Sequence, residues 1–179
     1  PAFAPPIVTV DPFRLADSRE IGERLTGGGE LAIRVVGRAG VPDDAKAVFL
    51  IVTAVNGDAP GFVTAYPCGF ERPTASNLNF VPGQVRPNAV LAQVGIDGEV
   101  CLFARSAVDL VVDVNAYVPA RSEVRSVPPA RLLDSREDGG RRPGGTVTEI
   151  EVLDAFGVPA DAEGVILNVT AVFPSAPGF

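Results

Sequence analysis

The sequence predicts an all-β protein: an antiparallel β-sandwich, of jelly-roll or immunoglobulin-like strand order, set in a tandem repeat. Three observations carry this. Proline (17) and glycine (19) punctuate short apolar runs at regular intervals, the spacing of many short strands joined by turns. The segment "AVDLVVDVNAYV" alternates: Val108, Leu110, Val112 and Val114 share one face, Asp109, Asp113 and Asn115 the other. The chain also repeats itself. Shifted by 117 residues, 14–62 meets 131–179 without a gap, and 27 of the 49 positions are identical.

The repeat sets the expected organisation. Residues 8–118 form one complete unit. Residues 119–130, "PARSEVRSVPPA", read as a proline-rich, semi-rigid linker. Residues 131–179 are the first part of a second, incomplete unit. Residues 1–7 also begin Pro-Ala and read as a linker or the end of a preceding repeat. Pro1 in place of methionine reads as a processed or excised chain.

The elements follow in chain order. "RLADSRE" at 14–20 and "RLLDSRE" at 131–137 read as strand. In that reading Leu15, Asp17 and Arg19 oppose Arg14, Ala16 and Ser18. The next clear strand places Val48, Leu50, Val52 and Ala54 on one face, matched by Val165, Leu167, Val169 and Ala171. That shared face is the expected core. Phe49, Ile51 and Val55 make the other face apolar, which reads as a contact surface or as a face under a second layer, and a covering layer is the expectation. "NGDAPG" at 56–61 turns into "FVTAYPC". "GIDGEV" at 95–100 reads as a type I′ hairpin between "NAVLAQVGI" and "EVCLFAR". Eight or nine strands per unit result, with no helix of consequence.

Composition excludes several functions. The net charge is −7, and Lys46 is the single lysine, with no basic stripe, so nucleic acid is not an expected partner. No apolar run reaches the roughly 18 residues of a membrane helix. Without histidine, two cysteines cannot complete a zinc site, and a hydroxyl nucleophile lacks its usual base. No cofactor, metal or catalytic residue is assigned. The chain is read as not an enzyme.

Three groups of residues remain as candidate sites. Cys68 and Cys101 are either one disulfide of a secreted domain or two buried thiols. Arg14, Asp17 and Arg19, with Arg131, Asp134 and Arg136 in the copy, are either an anion or sugar site or an ion-pair network pinning the first strand. Asn77 and Asn79 in "TASNLNF" share a face that would grip sugar hydroxyls or bond turn backbone. Asp109 and Asp113 have the spacing of a carboxylate pair, but their context points to solvated outer-face aspartates.

Taken together, the motifs resemble a repeat found in secreted and cell-surface proteins of high-GC Gram-positive and other environmental bacteria. Its pattern is R-L-L-D-[ST]-R, V-P-x-x-A-x-x-V-x-L-N-V-T, G-[FY]-V-T-x-[YF]-P-C-G, S-N-L-N, G-x-D-G-x-V-C and D-[LV]-x-x-D-V-x-G-Y. It is met at 131–136, 158–170, 61–69, 76–79, 95–101 and 109–117. Ala116 and Ile51 depart from it. The resemblance implies secretion, a Cys68–Cys101 bridge and tandem display on a cell surface, with no established activity. The expected function is a non-catalytic extracellular structural or adhesive module. The expected partners are neighbouring repeats or identical subunits. The alternatives are a carbohydrate-binding module for cell-wall glycan, or a surface filament completed by strand exchange.

Overall fold

Runs of alternating valine and leucine become strands, and nested pairing assembles them. The structure, a computed structural model, describes residues 5–127 and 129–172. The chain divides into two units, Pro1–Arg131 and Leu132–Phe179. The first carries eight strands: β1 (Val8–Asp17), β2 (Glu30–Arg34), β3 (Ala47–Val55), β4 (Gly61–Pro67), β5 (Leu78–Phe80), β6 (Arg86–Gln93), β7 (Glu99–Ala104) and β8 (Asp109–Val118). A single helical turn, α1 (Ser18–Ile21), follows β1.

The strands form two antiparallel four-stranded sheets, ordered β1-β8-β3-β6 and β2-β7-β4-β5. This is the predicted all-β sandwich. The pairs β1·β8, β2·β7, β3·β6 and β4·β5 nest as in one long hairpin. Rolling that hairpin adds β3·β8 and β4·β7. The result is jelly-roll order, not the immunoglobulin order. Every one of the six pairings joins a strand of β1–β4 to a strand of β5–β8.

The core lies between the sheets. Val48, Leu50, Val52 and Ala54 of β3 are at most 1 % exposed, and Leu110, Val112 and Val114 of β8 and Leu102 of β7 are fully buried beside them. Each large aliphatic side chain contributes about 1.5–3 kcal/mol of burial. The expected covering layer is not what Phe49 and Ile51 meet. Both are half-buried on the outer side of β3, whereas Val55 is buried.

The two turn segments differ from expectation in what they join. Asp97 and Gly98 have φ of 57° and 72°, the left-handed backbone that Asp-Gly favours. Yet β6 lies in one sheet and β7 in the other, so the segment is a crossing and not a hairpin. Turn chemistry fixes a local reversal, but β6 pairs with β3, and β7 sits between β2 and β4. A Cβ on Gly95 would lie 2.2 Å from the Cys68 backbone nitrogen, so the crossing packs backbone on backbone. Residues 56–60 likewise pass from β3 to β4 across the sandwich.

The second unit, described over 132–172, contains no strand among its described residues. It nonetheless repeats the turns of the first at the same offset. Ala39 and Phe156 both have φ of 51°, and Gly40 and Gly157 have 79° and 85°. The bridge Arg38↔Val41 has its counterpart in Ala155↔Val158. Local interactions are reproduced and sheets are not. In the first unit β1, β2 and β3 pair with β6, β7 and β8 and never with one another. Residues 125–172 align with those three strands at the 117-residue offset.

Candidate functional site

The duplicated R-L-x-D-S-R motif sits where β1 ends. A register shift between Arg14 and Ala16 buries Leu15, Ala16 and Asp17 together, and the strand ends at Asp17, so the two faces read from the sequence do not hold across 14–19. Asp17 instead caps α1, accepting from the Arg19 backbone N–H at 3.1 Å, and Gly22 closes the turn with φ of 72°. The turn folds Arg19 back, and its guanidinium donates to Asp17 twice, from Nε at 2.8 Å and Nη2 at 2.5 Å. The Arg19 hydrogen bonds hold the buried Asp17 carboxyl below its ordinary value, outweighing the opposite effect of burial. Arg14 takes a different partner, Asp113 on β8, at 2.9 Å, and reaches Asp17 only at 3.8 Å. In the second unit Arg136 grips Asp134 with the same fork, at 2.9 and 2.5 Å. Arg131 stands apart, donating to the Thr74 carbonyl at 3.4 Å.

The centre of this end of the sandwich is Asp109, the first residue of β8. Read from the sequence as a solvated outer-face residue, it is buried, at 6 % exposed. Alternation gives the side of the strand on which it lies, but not that α1 and the loops after β1 and β3 cover that side. Ser18, fully buried, donates to Asp109 Oδ1 at 3.0 Å and accepts from the Leu110 backbone N–H. Asn56 donates its amide to Oδ2 at 3.0 Å, and Arg24 Nη1 donates to the same oxygen at 2.6 Å. Arg24 Nη2 reaches on to the Asn56 carbonyl at 2.8 Å and to Asp58 at 2.7 Å. Burial pushes the Asp109 carboxyl up, but the bonds from Asn56, Ser18 and Arg24 together hold it below its ordinary value. Asp113 is not part of this cluster, so the two carboxylates do not act as a pair on one ligand.

The outer face of the second sheet is the other polar region. Cys68 and Cys101 form a disulfide there, with Cα atoms 5.0 Å apart. They pack with Tyr66 and Phe103 in a small apolar cluster, and the Tyr66 hydroxyl donates to Glu30. The Arg72 guanidinium lies 3.7 Å over the Phe103 ring, a cation–π contact. Thr64, fully buried, donates to the Ala75 carbonyl at 2.7 Å, so the loop from 69 to 77 is tied to β4. Asn77 is part of that tie: its side-chain oxygen accepts from the Ala65 N–H at 2.8 Å. Asn79 is exposed, bonds Ser76 at 3.3 Å, and stands opposite Phe62 in the β4·β5 register.

The structure thus brings Arg14, Asp17 and Arg19 together, each arginine on an internal carboxylate. It separates Asn77, which bonds backbone, from Asn79, which does not. Ser18, Arg24, Asn56 and Asp58 were not singled out in the sequence. The available signal was the pairing of Ser18 with Ser135 and Arg24 with Arg141 at the 117-residue offset. Among the described residues no cluster of three or more acidic, cysteine or histidine side chains is placed to hold a metal ion. Among the described residues no helix is long and apolar enough to cross a membrane. No family model matches the chain, and no curated protein matches it.

Proposed function

We propose that the chain is a non-catalytic extracellular structural or adhesive module, a unit of a tandem-repeat cell-surface protein. The observation that carries the reading is closure of the polar groups. Arg14, Arg19 and Arg24 spend their forks on Asp113, Asp17 and Asp109. No buried side-chain nitrogen or oxygen among the described residues lacks a partner. A site evolved to bind or turn over a ligand keeps convergent groups open toward a cavity, and these groups converge on each other. The disulfide fits an oxidising compartment. The repeated Asp-Arg fork and turns support reading 131–179 as the beginning of a further sandwich.

Force spectroscopy on a chain of several such units tests this. One cooperative step per unit, all of equal length, is the expected record. Turnover by the oxidised protein on a panel of ester, glycoside and peptide substrates would overturn the reading.

A second reading rests on Asn79 opposite Phe62, an exposed amide beside an aromatic ring on the outer sheet face. That pairing suits a sugar. A glycan array decides it: binding lost in the Asn79→Ala and Phe62→Ala variants supports a carbohydrate-binding module, and absence of binding removes it.

A further inference from the structure

We propose that the half-sandwich β4–β8 accepts either of two strand sets: its own β1–β3, or the segment 125–172 that repeats them. The chain then encodes two alternative jelly rolls that share β4–β8. The inference rests on the topology and the duplication, and it stands whatever the module does outside the cell.

The topology leaves β4–β8 with three vacancies once β1–β3 are removed. β8 lacks its neighbour on one side, β7 lacks one, and the place between β6 and β8 is empty. No strand ladder joins β1, β2 and β3 to one another, so a chain with matching side chains can fill the same places. The repeat supplies them. Val165, Leu167, Val169 and Ala171 match Val48, Leu50, Val52 and Ala54, and Ile150, Val152 and Val158 match the buried Ile33, Val35 and Val41. Asp134, Ser135 and Arg141 match Asp17, Ser18 and Arg24.

The connection is also short enough. Val8, near the start of β1, lies opposite Tyr117, near the end of β8. Its counterpart at the 117-residue offset is Arg125, so residues 119–124 alone separate the repeated β1 from β8. Six residues span up to roughly 20 Å, and neighbouring strands are about 4.8 Å apart. The repeated β1 therefore follows β8 as an ordinary hairpin. The stretch read as a linker, 119–130, is then half connector and half strand.

The differences between the copies select the frame. Leu25, 4 % exposed, becomes Arg142, and Leu31, 6 % exposed, becomes Thr148. Asn56 and Asp58 become Phe173 and Ser175. In the second frame Asp109 loses the Asn56 amide, and Arg141, in the place of Arg24, has no acid at position 175. The Asp109 network is thus a frame selector: satisfied by Ser18, Arg24, Asn56 and Asp58 of the first copy and left short by the repeat. Buried polar groups that specify one arrangement over another act in this way.

Hydrogen exchange on the full-length oxidised chain tests the proposal. In the wild type the 48–54 segment should be protected and the 165–171 segment should exchange fast. The V48D/L50D/V52D variant disables the first frame. Expected is protection that moves to 165–171 while β6–β8 remain protected. Adding R142L and T148L should slow exchange in that variant by about tenfold or more. Adding V165D/L167D/V169D should abolish protection everywhere. If V48D/L50D/V52D loses β6–β8 protection as fully as the six-fold variant, and R142L with T148L restores none of it, the two-frame proposal is wrong.

Discussion

At the scale of the residue, Asp109 and Arg14 make opposite cases from similar chemistry. Both belong to an arginine–aspartate pair, but Asp109 is buried under three donors, while the Arg14 side chain is 51 % exposed. Asp109→Ala strands the Ser18 hydroxyl, the Asn56 amide and one edge of Arg24. The expected loss is about 2–4 kcal/mol in urea unfolding. Arg14→Ala should leave the unfolding midpoint at that of the wild type. The acid limb carries the same signature. Asp17 and Asp109 both have folded carboxyls held below their ordinary values, so their stabilisation is fully present above the unfolded carboxylate range, near pH ~4. It is lost as pH falls through the lower folded values. A stability profile from pH 7 to 2 should therefore drop below pH ~4, and Asp109→Asn should flatten part of that drop. Alternation in the sequence located Asp109 on its strand, but the groups covering it come from Ser18 and Arg24, 91 and 85 residues away. No local pattern announces them.

At the scale of the element, the strands were legible and their partners were not. Period-two runs identify β3 and β8 because a half-buried strand must alternate, and the face of β3 repeated at all four of Val48, Leu50, Val52 and Ala54 is the one that lies in the core. Asp97-Gly98 was legible as a reversal for the same kind of local reason. That it carries the chain between sheets depends on Gly95 lying against Cys68 and on β7 finding β2 and β4, which are distant contacts. The disulfide ties that crossing down. Cys68 and Cys101 are 33 residues apart, and closing a loop of that size in the unfolded chain corresponds to roughly 3–4 kcal/mol in the chain-entropy treatment. The C68S/C101S variant should lose about that much in denaturant unfolding. Hydrogen exchange should show the 69–77 loop opening before the β3·β8 pair, since the loop lies outside the strands and is held by scattered contacts such as the bridge, Thr64, Asn77 and Arg72.

At the scale of the molecule, the nested pairing dictates how the protein acquires its structure. Each of the six strand pairs spans the two arms β1–β4 and β5–β8, so no strand of the first arm has a partner until the second arm exists. Such non-local pairing makes for slow folding, because loop closure precedes any stabilising contact. It also sets a threshold along the chain. β8 completes two pairs at once, with Val112 opposite both Ala16 and Val52. A fragment ending at residue 104 keeps β1–β7 but leaves β1 without any partner and β3 with one. It should show no protected amides in the first sheet. A fragment ending at residue 130 should match the full chain in that sheet, because every partner is then present. Between those lengths protection should appear in a single step, not strand by strand. A graded gain across fragments ending at 104, 112, 118 and 130 would mean that the first arm holds structure of its own, which the observed pairing does not provide.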